Sequence, residues 1–247
     1  MLELIRIEAK KLFRHPLFWY SLLVLIGLYV LLMLKLINGF LRHYNIWVEF
    51  MHESNAWNLL LHRFSLNLSL VSGLILLVLI LVVAYIESQH HNWRRLLTLP
   101  QSLFHVLLSK LYLVLIVFLV VYSLLWVSTL AIARPIIIEK YYFLFKNETY
   151  QENGSKYFLW YFFSVFAFSK FIFFHFWLST RLKENQFFSF LIGCLGLFMP
   201  YQYLPYGAFF SFNSTMTDVL VVAGVAVLYC FIAIYFLKKE SALRYFM

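Results

Sequence analysis

Aspartate is almost absent from this chain, and charged residues of either sign are scarce. Asp218 is the sole aspartate in 247 residues, and Asp, Glu, Lys and Arg together make up 13% of the sequence. Soluble domains carry about 25% charged residues, so this composition excludes an ordinary soluble enzyme. Catalytic carboxylate pairs are poorly supported, because nearly all of the glutamates lie in predicted loops or interfacial segments.

Motifs for binding nucleotides or metals are missing as well. The sequence contains no Walker A motif, no Gly-rich phosphate loop, and no CxxC or HExxH pattern. Its two cysteines, Cys194 and Cys230, both lie in apolar runs, where we interpret them as reduced packing residues. We therefore predict a chain that is not an enzyme and binds no metal or cofactor of its own.

Apolar residues are abundant: they make up 63% of the chain, and aromatic residues alone make up 21%. Several runs reach the roughly 20 residues that a helix needs to cross about 30 Å of hydrocarbon. We predict an all-α polytopic membrane protein with a single transmembrane domain of six helices. The predicted spans are 17–40, 65–86, 103–133, 157–178, 187–205 and 217–237.

The positions of Lys and Arg predict the orientation of these spans. If the N-terminus is cytoplasmic, eleven Lys and Arg residues lie in inside segments and seven in outside segments. This bias places both termini in the cytoplasm. The formal charge of +9 sits between apolar runs, so we attribute it to contacts with anionic lipid and do not expect nucleic acid.

Residues 1–16 are predicted to form an amphipathic helix in the headgroup layer, ended by His15 and Pro16. Its basic face is equally compatible with a topology anchor and with a partner contact. Its apolar residues recur at helical spacing, and its charged residues lie opposite them. The apolar set is Leu2, Ile5, Ala9, Leu12 and Phe13, and the charged set is Glu3, Arg6, Lys10 and Arg14.

A short amphipathic insert, 87–100, separates the second and third apolar runs and reads ESQHHNWRRLLTLP. It opens with an acidic residue and carries a tryptophan and two leucines at i, i+3 and i+4, two arginines beside them, and a final proline. These residues are Glu87, Trp93, Leu96, Leu97, Arg94, Arg95 and Pro100. Such a helix lying flat at the membrane surface offers a contact through which another protein can push on the adjoining spans.

The turn after the fourth span is a second possible contact on the cytoplasmic side. The positive-inside rule alone explains Arg181 and Lys183. Glu184 is not required by topology, which favours a contact surface. At the other membrane face, the charge-free connector 200–216 is predicted to re-enter the outer membrane layer.

Lys170 is the sharpest single anomaly, because it lies inside the fourth span, about 11 Å from the predicted inner boundary. An ammonium at that depth costs several kcal/mol unless it snorkels towards water or finds a partner. Both readings stay open, the second placing Lys170 in a substrate path or at a subunit interface. Lys35 and Lys110 lie nearer to span ends, where we expect snorkelling to suffice.

Histidine chemistry gives two weaker hypotheses. His105 and His175 lie near span ends and allow a haem pair, although interfacial histidines are the more common explanation. A metal site outside the membrane needs Glu49, His52 and Glu53 on one helix face, for which a solvated surface is the simpler reading.

Taken together, these features resemble the membrane subunits of type-2 ABC transporters, particularly the permeases of lantibiotic-immunity and peptide-antibiotic exporters. The resemblance spans essentially the whole chain. Four parts of the sequence carry the resemblance: the N-terminal LELIRIEAKKLFRHP; Glu87 followed by WRRLLTLPQS and then Lys110; the TRLKEN turn; and the glycines of the fifth span.

The resemblance implies an exporter of an amphipathic peptide or lipid-like substrate in the bacterial plasma membrane. It implies a second permease chain and a separate cytoplasmic ATPase, which binds ATP and Mg²⁺ and docks on the 87–100 insert and the N-terminal helix. The rival interpretations are a membrane scaffold or regulatory subunit without transport and, further off, a membrane haem protein.

Overall fold

The computed structural model describes residues 2–51, 56–88, 103–146, 154–181, 188, 191, 192, 195 and 216–243. All regular structure within these residues is helical, which confirms the predicted all-α class. The helices are α1 (Leu2–Arg14), α2 (Pro16–Met51), α3 (Ala56–Ser88), α4 (Leu103–Ser128), α5 (Arg134–Lys140), α6 (Tyr142–Lys146), α7 (Gly154–Arg181) and α8 (Met216–Leu243). A π-helical turn, Thr129–Ala133, joins α4 to α5.

Apolar helices of membrane-spanning length are present among these elements. Three stretches are long and apolar enough to cross a membrane, namely Pro16–Arg42, Phe104–Lys140 and Val219–Phe236. Two shorter apolar stretches are Leu70–Ile86 and Tyr161–Phe176. A polytopic membrane protein is therefore supported, whereas the number of six spans and the location of the termini stay predictions. The predicted span 187–205 and the connector 200–216 lie almost entirely outside the described residues.

The helices run past the edges of the predicted spans. The α2 helix has 36 residues and rises about 54 Å, so it extends beyond the ~30 Å hydrocarbon layer. No proline or glycine interrupts 41–51, and the helix continues through this stretch that the sequence places in an outer loop. The second predicted outer loop, 134–156, likewise begins with α5 and α6.

The break between α1 and α2 has a local cause. Pro16 has no N–H and fits the first position of α2, where a helix has no partner for that donor. The backbone N–H of Leu17 donates to Nδ1 of His15 at 3.3 Å, which caps the new helix. The ring of His15 also lies 6.3 Å from that of Tyr85, so this corner sits beside the end of α3.

Side-chain contacts establish the relative directions of α4, α7 and α8. Ser123 and Tyr161 are joined by a 2.7 Å hydrogen bond between their hydroxyls, and the ring of Phe118 lies 5.4 Å from that of Phe168, so α4 and α7 are antiparallel. The α7 and α8 helices are parallel, because the segment around Phe163 packs on Val219 and the Phe174 ring lies 6.4 Å from the Tyr229 ring. The last residue of α7 and the first residue of α8 therefore lie at opposite ends of the bundle.

The described helices have two ends of different character. The α1 end, as we call it, gathers α1, the start of α2, the end of α3, the start of α4 and the end of α7 around one apolar cluster. The opposite far end holds a second cluster formed by α2, the start of α3, α5 and α6. Between the helix ends, α2 and α8 leave many large apolar side chains exposed, which is the surface expected against lipid.

Hydroxyl groups and a backbone carbonyl make contacts between α2 and the end of α4. The phenolic oxygen of Tyr29 lies 2.7 Å from Oγ1 of Thr129, 2.9 Å from Oγ of Ser128 and 3.1 Å from the carbonyl oxygen of Leu125. These contacts tie α2 to the π-helical turn, where the N–H of Arg134 bonds to Thr129. Proline 135 follows this turn and removes the N–H that an α-helical pattern would direct to the carbonyl of residue 131.

Candidate functional site

The α1 helix is docked on the bundle by a narrow strip of its surface. Among its described side chains only Glu8 and Leu12 are fully buried, and they lie on one face because they are four residues apart. Leu12 joins Phe18 and Val106 in the apolar cluster of the α1 end. Leu2, assigned to the apolar face by the sequence pattern, is 83% exposed.

A buried ion pair connects α1 to α4. Nζ of Lys110 donates to Oε2 of Glu8 at 2.8 Å, and Nζ of Lys11 donates to Oε1 of the same carboxylate at 2.9 Å. Each carboxylate oxygen therefore has its own ammonium partner, as strong charge-assisted hydrogen bonds require. Glu8 is 7% exposed and Lys110 is 2% exposed, whereas the Lys11 side chain is 39% exposed.

The expectation that Lys110 snorkels is therefore wrong. Its ammonium points to a carboxylate that is 102 residues earlier in the chain, and the side chain is enclosed by protein. Lys35, for which snorkelling was also expected, is exposed on α2. Glu8 was not singled out in the sequence analysis, because an acidic residue within a charged amphipathic helix looks like part of its solvated face. Its i, i+4 relation to Leu12 is the signal that places it on the buried side.

Opposing effects determine the pKa of Glu8. Burial by itself raises the pKa of this carboxyl, because it disfavours the charged form. The positive charges and hydrogen bonds of Lys110 and Lys11 outweigh burial and hold the pKa below the ordinary value of 4.5. The carboxylate is thus ionised at neutral pH. A cavity of about 10 Å³ beside the pair is at the lower limit for a single water molecule.

The ion pair lies beside the two helix ends that flank the 87–100 insert, which is the predicted coupling segment. The small cavity beside it is lined by Val83 and Ile86 near the end of α3 and by Lys110 and Leu113 near the start of α4. The α3 helix ends at Ser88 and α4 begins at Leu103, so 89–102 connects two helix ends beside α1. Glu87 belongs to the last turn of α3. The other predicted contact residues, Trp93, Arg94, Arg95, Leu96, Leu97 and Pro100, lie outside the described residues.

The second predicted contact is only partly described. Arg181 is the last residue of α7, and α7 ends at the α1 end of the bundle. Lys183 and Glu184 lie outside the described residues. The structure therefore brings the C-terminal end of α7 to the same side as α1, without describing the turn itself.

Lys170 is fully buried in α7, among aromatic residues such as Phe168 and Phe171 that face α3 and α4. Its side chain reaches neither solvent nor the surface of the protomer, which disagrees with snorkelling into water. Lys170 takes part in an interaction within the described part of the chain. A role in a substrate path or at a subunit interface stays a prediction.

The histidine hypotheses receive no added support from geometry. His105 is exposed, whereas His175 is buried and its ring stacks on Phe171 at 5.4 Å. Within the described part of the chain, no group of three or more His, Cys, Asp or Glu side chains is placed to hold a metal. The side chains of Glu49, His52 and Glu53 lie outside that part.

Comparison with known proteins identifies a family for this chain. A family model described as ABC-2 family transporter protein matches residues 4–200 of the chain. The matched region contains nearly all of α1 to α7 and the whole 87–100 segment. No curated protein and no solved structure matches the chain.

Proposed function

Because this chain belongs to the ABC-2 family of transporter proteins, we propose that it is the permease subunit of an ABC exporter driven by a separate ATPase. Permeases of this family are membrane transport components, generally without catalysis of their own, and typically work with an ATPase subunit. The observation that carries the proposal is the grouping at the α1 end. There, α1 packs against the two helices that bracket the 89–102 segment.

The ATPase docks on the 87–100 segment and on α1. Trp93, Leu96 and Leu97 have the size and spacing of apolar anchors for a protein cleft. Arg94 and Arg95 supply directional polar contacts beside them. The end of α7 lies on the same side, which makes the turn of Arg181, Lys183 and Glu184 a second contact. ATP and Mg²⁺ bind to the partner, in keeping with the missing phosphate loop of this chain.

The orientation follows from where ATP is found. An ATPase in the bacterial cytoplasm requires the α1 end to face inwards, which agrees with the excess of Lys and Arg in these segments. The parallel direction of α7 and α8 supports a further crossing by the intervening chain, and thus six spans with both termini inside. We therefore propose a multi-pass protein of the bacterial plasma membrane.

The substrate is an amphipathic peptide or a lipid-like molecule, as in the antibiotic-peptide immunity branch. Support comes from the bundle surface, where α2 and α8 present apolar and aromatic side chains such as Tyr20 and Phe231 towards lipid. A second permease chain, identical or homologous, would cover part of this surface and enclose a path at membrane depth. Nucleotide-driven closure of two ATPases then rotates or separates the two permease chains.

Docking is tested by co-expressing a tagged permease with candidate ATPases encoded beside it and purifying through the tag. We expect the ATPase to co-purify with the wild type and its retention to fall about tenfold or more in Leu97→Asp and in Arg95→Glu. Lys146→Glu, the same charge reversal at an exposed site of the far end, is the matched control and should retain the ATPase. Equal retention in all variants would reject the coupling segment as the docking site.

Transport is tested on the same complex in proteoliposomes. The probes are a fluorescent amphipathic cationic peptide and a fluorescent phosphatidylglycerol, each followed for ATP-dependent movement out of the labelled leaflet. Movement of either probe supports an exporter of that substrate class. An ATPase that binds but moves neither probe favours the scaffold or regulatory alternative, and a Soret absorbance band in the purified chain would favour the haem protein.

A further inference from the structure

The contact between α1 and α4 depends on charge to an unusual degree. The α1 helix buries little apolar surface, since Leu12 is its only fully buried apolar side chain among those described. Its other fully buried side chain is Glu8, whose carboxylate is held at 2.8 Å by Lys110. A helix of 13 residues is marginal by itself in water, so these docking contacts determine whether α1 stays formed.

A buried ion pair specifies one alignment. Removing two charges from water is costly, and their attraction repays this cost only in good geometry with the remaining hydrogen bonds made. The Glu8 carboxylate meets this condition through Lys110 on one oxygen and Lys11 on the other. Sliding or rotating α1 by one residue would separate these atoms and leave opposite charges uncompensated between helices. The pair therefore permits one register of α1 on α4 and disfavours its neighbours.

The position of the pair connects this register to the coupling segment. Lys110 lies seven residues after the first residue of α4, which is about 11 Å along the helix. The first two turns of α4 therefore join the 89–102 segment to Lys110 without a break in the helix. Any displacement of the start of α4 reaches the ion pair before it reaches the deeper part of the bundle.

We infer that Glu8 and Lys110 are positioning residues for energy coupling, which lock α1 to the start of α4 so that both move as one body. The inference rests on the proposed docking of an ATPase at 87–100. With the ion pair intact, a displacement of the 87–100 segment by the ATPase also displaces α1. The two surfaces on which the ATPase docks, the 87–100 segment and α1, therefore move together. With the lock broken, the start of α4 moves and α1 stays behind.

The lock itself is tested on the full chain in lipid nanodiscs without an ATPase, by hydrogen exchange of the α1 amides. Lys110→Met removes the buried ammonium and leaves the Glu8 carboxylate with only the partly exposed Lys11, so it should lower α1 protection on the order of 100-fold. Glu8→Gln, which keeps the shape of the side chain, should act in the same direction. Lys11→Met is the matched control, with a loss of no more than about fivefold, because this lysine is partly exposed.

Coupled motion is tested on the ATPase complex with two spin labels. The labels occupy Ile7→Cys on α1 and Tyr112→Cys on α4, both exposed positions, in a background carrying Cys194→Ser and Cys230→Ser. In the wild-type pair, the distance distribution should keep its mean and width when Mg²⁺, ATP and vanadate trap the closed ATPase. In Lys110→Met, the mean should shift or the distribution broaden on trapping.

Exchanging the charges of residues 8 and 110 distinguishes a positioning role of the ion pair from a general contribution to stability. Glu8→Lys with Lys110→Glu, made together with Lys11→Met to avoid adjacent like charges, should restore both α1 protection and a trapping-independent distance. A wild-type distance that shifts on trapping as much as in Lys110→Met would overturn the inference, as would equal α1 protection in Lys110→Met and Lys11→Met. If no ATPase binds the wild type, the proposed function is rejected. The hydrogen-exchange measurements, which need no ATPase, still decide whether the Glu8–Lys110 pair holds α1 on α4.

Discussion

At the α1 end, two helices meet through a carboxylate held between ammonium groups, whereas towards the far end the helices meet through aromatic rings and hydroxyls. Phe40 of α2 stacks on Phe145 at 5.9 Å, and Trp57 of α3 approaches the same ring at 4.6 Å. The hydroxyl of Tyr141 donates to the backbone carbonyl oxygens of Ile37 and Asn38 at 3.1 Å. Both ends are tightly packed, and the buried pair of opposite charges, Glu8 and Lys110, lies at the α1 end.

The two ends of the protein use charge differently. Apolar packing at the far end is spread over many side chains, so each contributes a share and small rearrangements are tolerated. The Glu8–Lys110 pair concentrates the alignment of α1 in two groups, and neither is tolerated without the other. A single buried ion pair keeps α1 in one register on α4 when the helices are displaced. Packing spread over many side chains stabilises the far end of the bundle.

The largest effect is expected from opening a cavity at the far end. Phe40→Ala should lower the free energy of unfolding by about 4 kcal/mol, because a fully buried ring is lost from its aromatic neighbours. The measurement is equilibrium unfolding by SDS in mixed micelles, followed by tryptophan fluorescence. Phe143→Ala, an exposed ring on α6, is the control and should change little. Equal losses in the two variants would mean that the far end is not a packed anchor.

Removing one charge at the α1 end should come next. Glu8→Gln should cost about 3 kcal/mol in the same unfolding measurement, because Lys110 is left buried without its carboxylate. Glu3→Gln makes the same change at an exposed site of α1 and should be nearly neutral. If Glu8→Gln were as mild as Glu3→Gln, the charged joint would be no more demanding than ordinary surface contacts.

Acid should remove the same contribution gradually. The pKa of Glu8 lies below its ordinary value of 4.5 in the folded protein, so the carboxylate stabilises the fold above that value. This stability is lost as pH falls through the folded pKa, where the carboxyl becomes protonated. Melting temperatures of wild type and Glu8→Gln, compared from neutral pH to about pH 3, should therefore converge on the acid side. A gap that stays constant with pH would contradict this account of the pair.

The smallest effect concerns the hydroxyl contact that ties α2 to the π-helical turn. Tyr29→Phe should cost about 1 kcal/mol, because Ser128 and Thr129 keep their own hydrogen bonds to Leu125 when the phenol is lost. Tyr20→Phe, at an exposed position of the same helix, is the control and should be silent. The readout is again unfolding in mixed micelles. A loss as large as that of Glu8→Gln would erase the distinction between neutral and charged contacts.

Sequence reasoning reached the class of this protein because its evidence is local. Apolar run length predicts helices of membrane-spanning size, since every backbone polar group in lipid must be paired within the helix or sheet itself. The basic, amphipathic segment LELIRIEAKKLFRHP likewise predicts α1, and its last two residues, His15 and Pro16, predict the end of that helix. Helices nevertheless extend into 41–64 and 134–156, which the sequence analysis treats as outer loops, because hydropathy marks the most apolar part of a segment and not the end of its helix.

Local sequence patterns are enough to predict an all-α membrane protein with a short amphipathic insert between two apolar runs. The packing of the helices is needed to show that Lys110 meets Glu8, that Lys170 is buried, and that α7 and α8 are parallel. The physical reason is distance along the chain: periodicity fixes which face of one helix a residue occupies, but not which helix lies opposite. A lysine near a span end looks ready to reach water until its partner on another helix is in place.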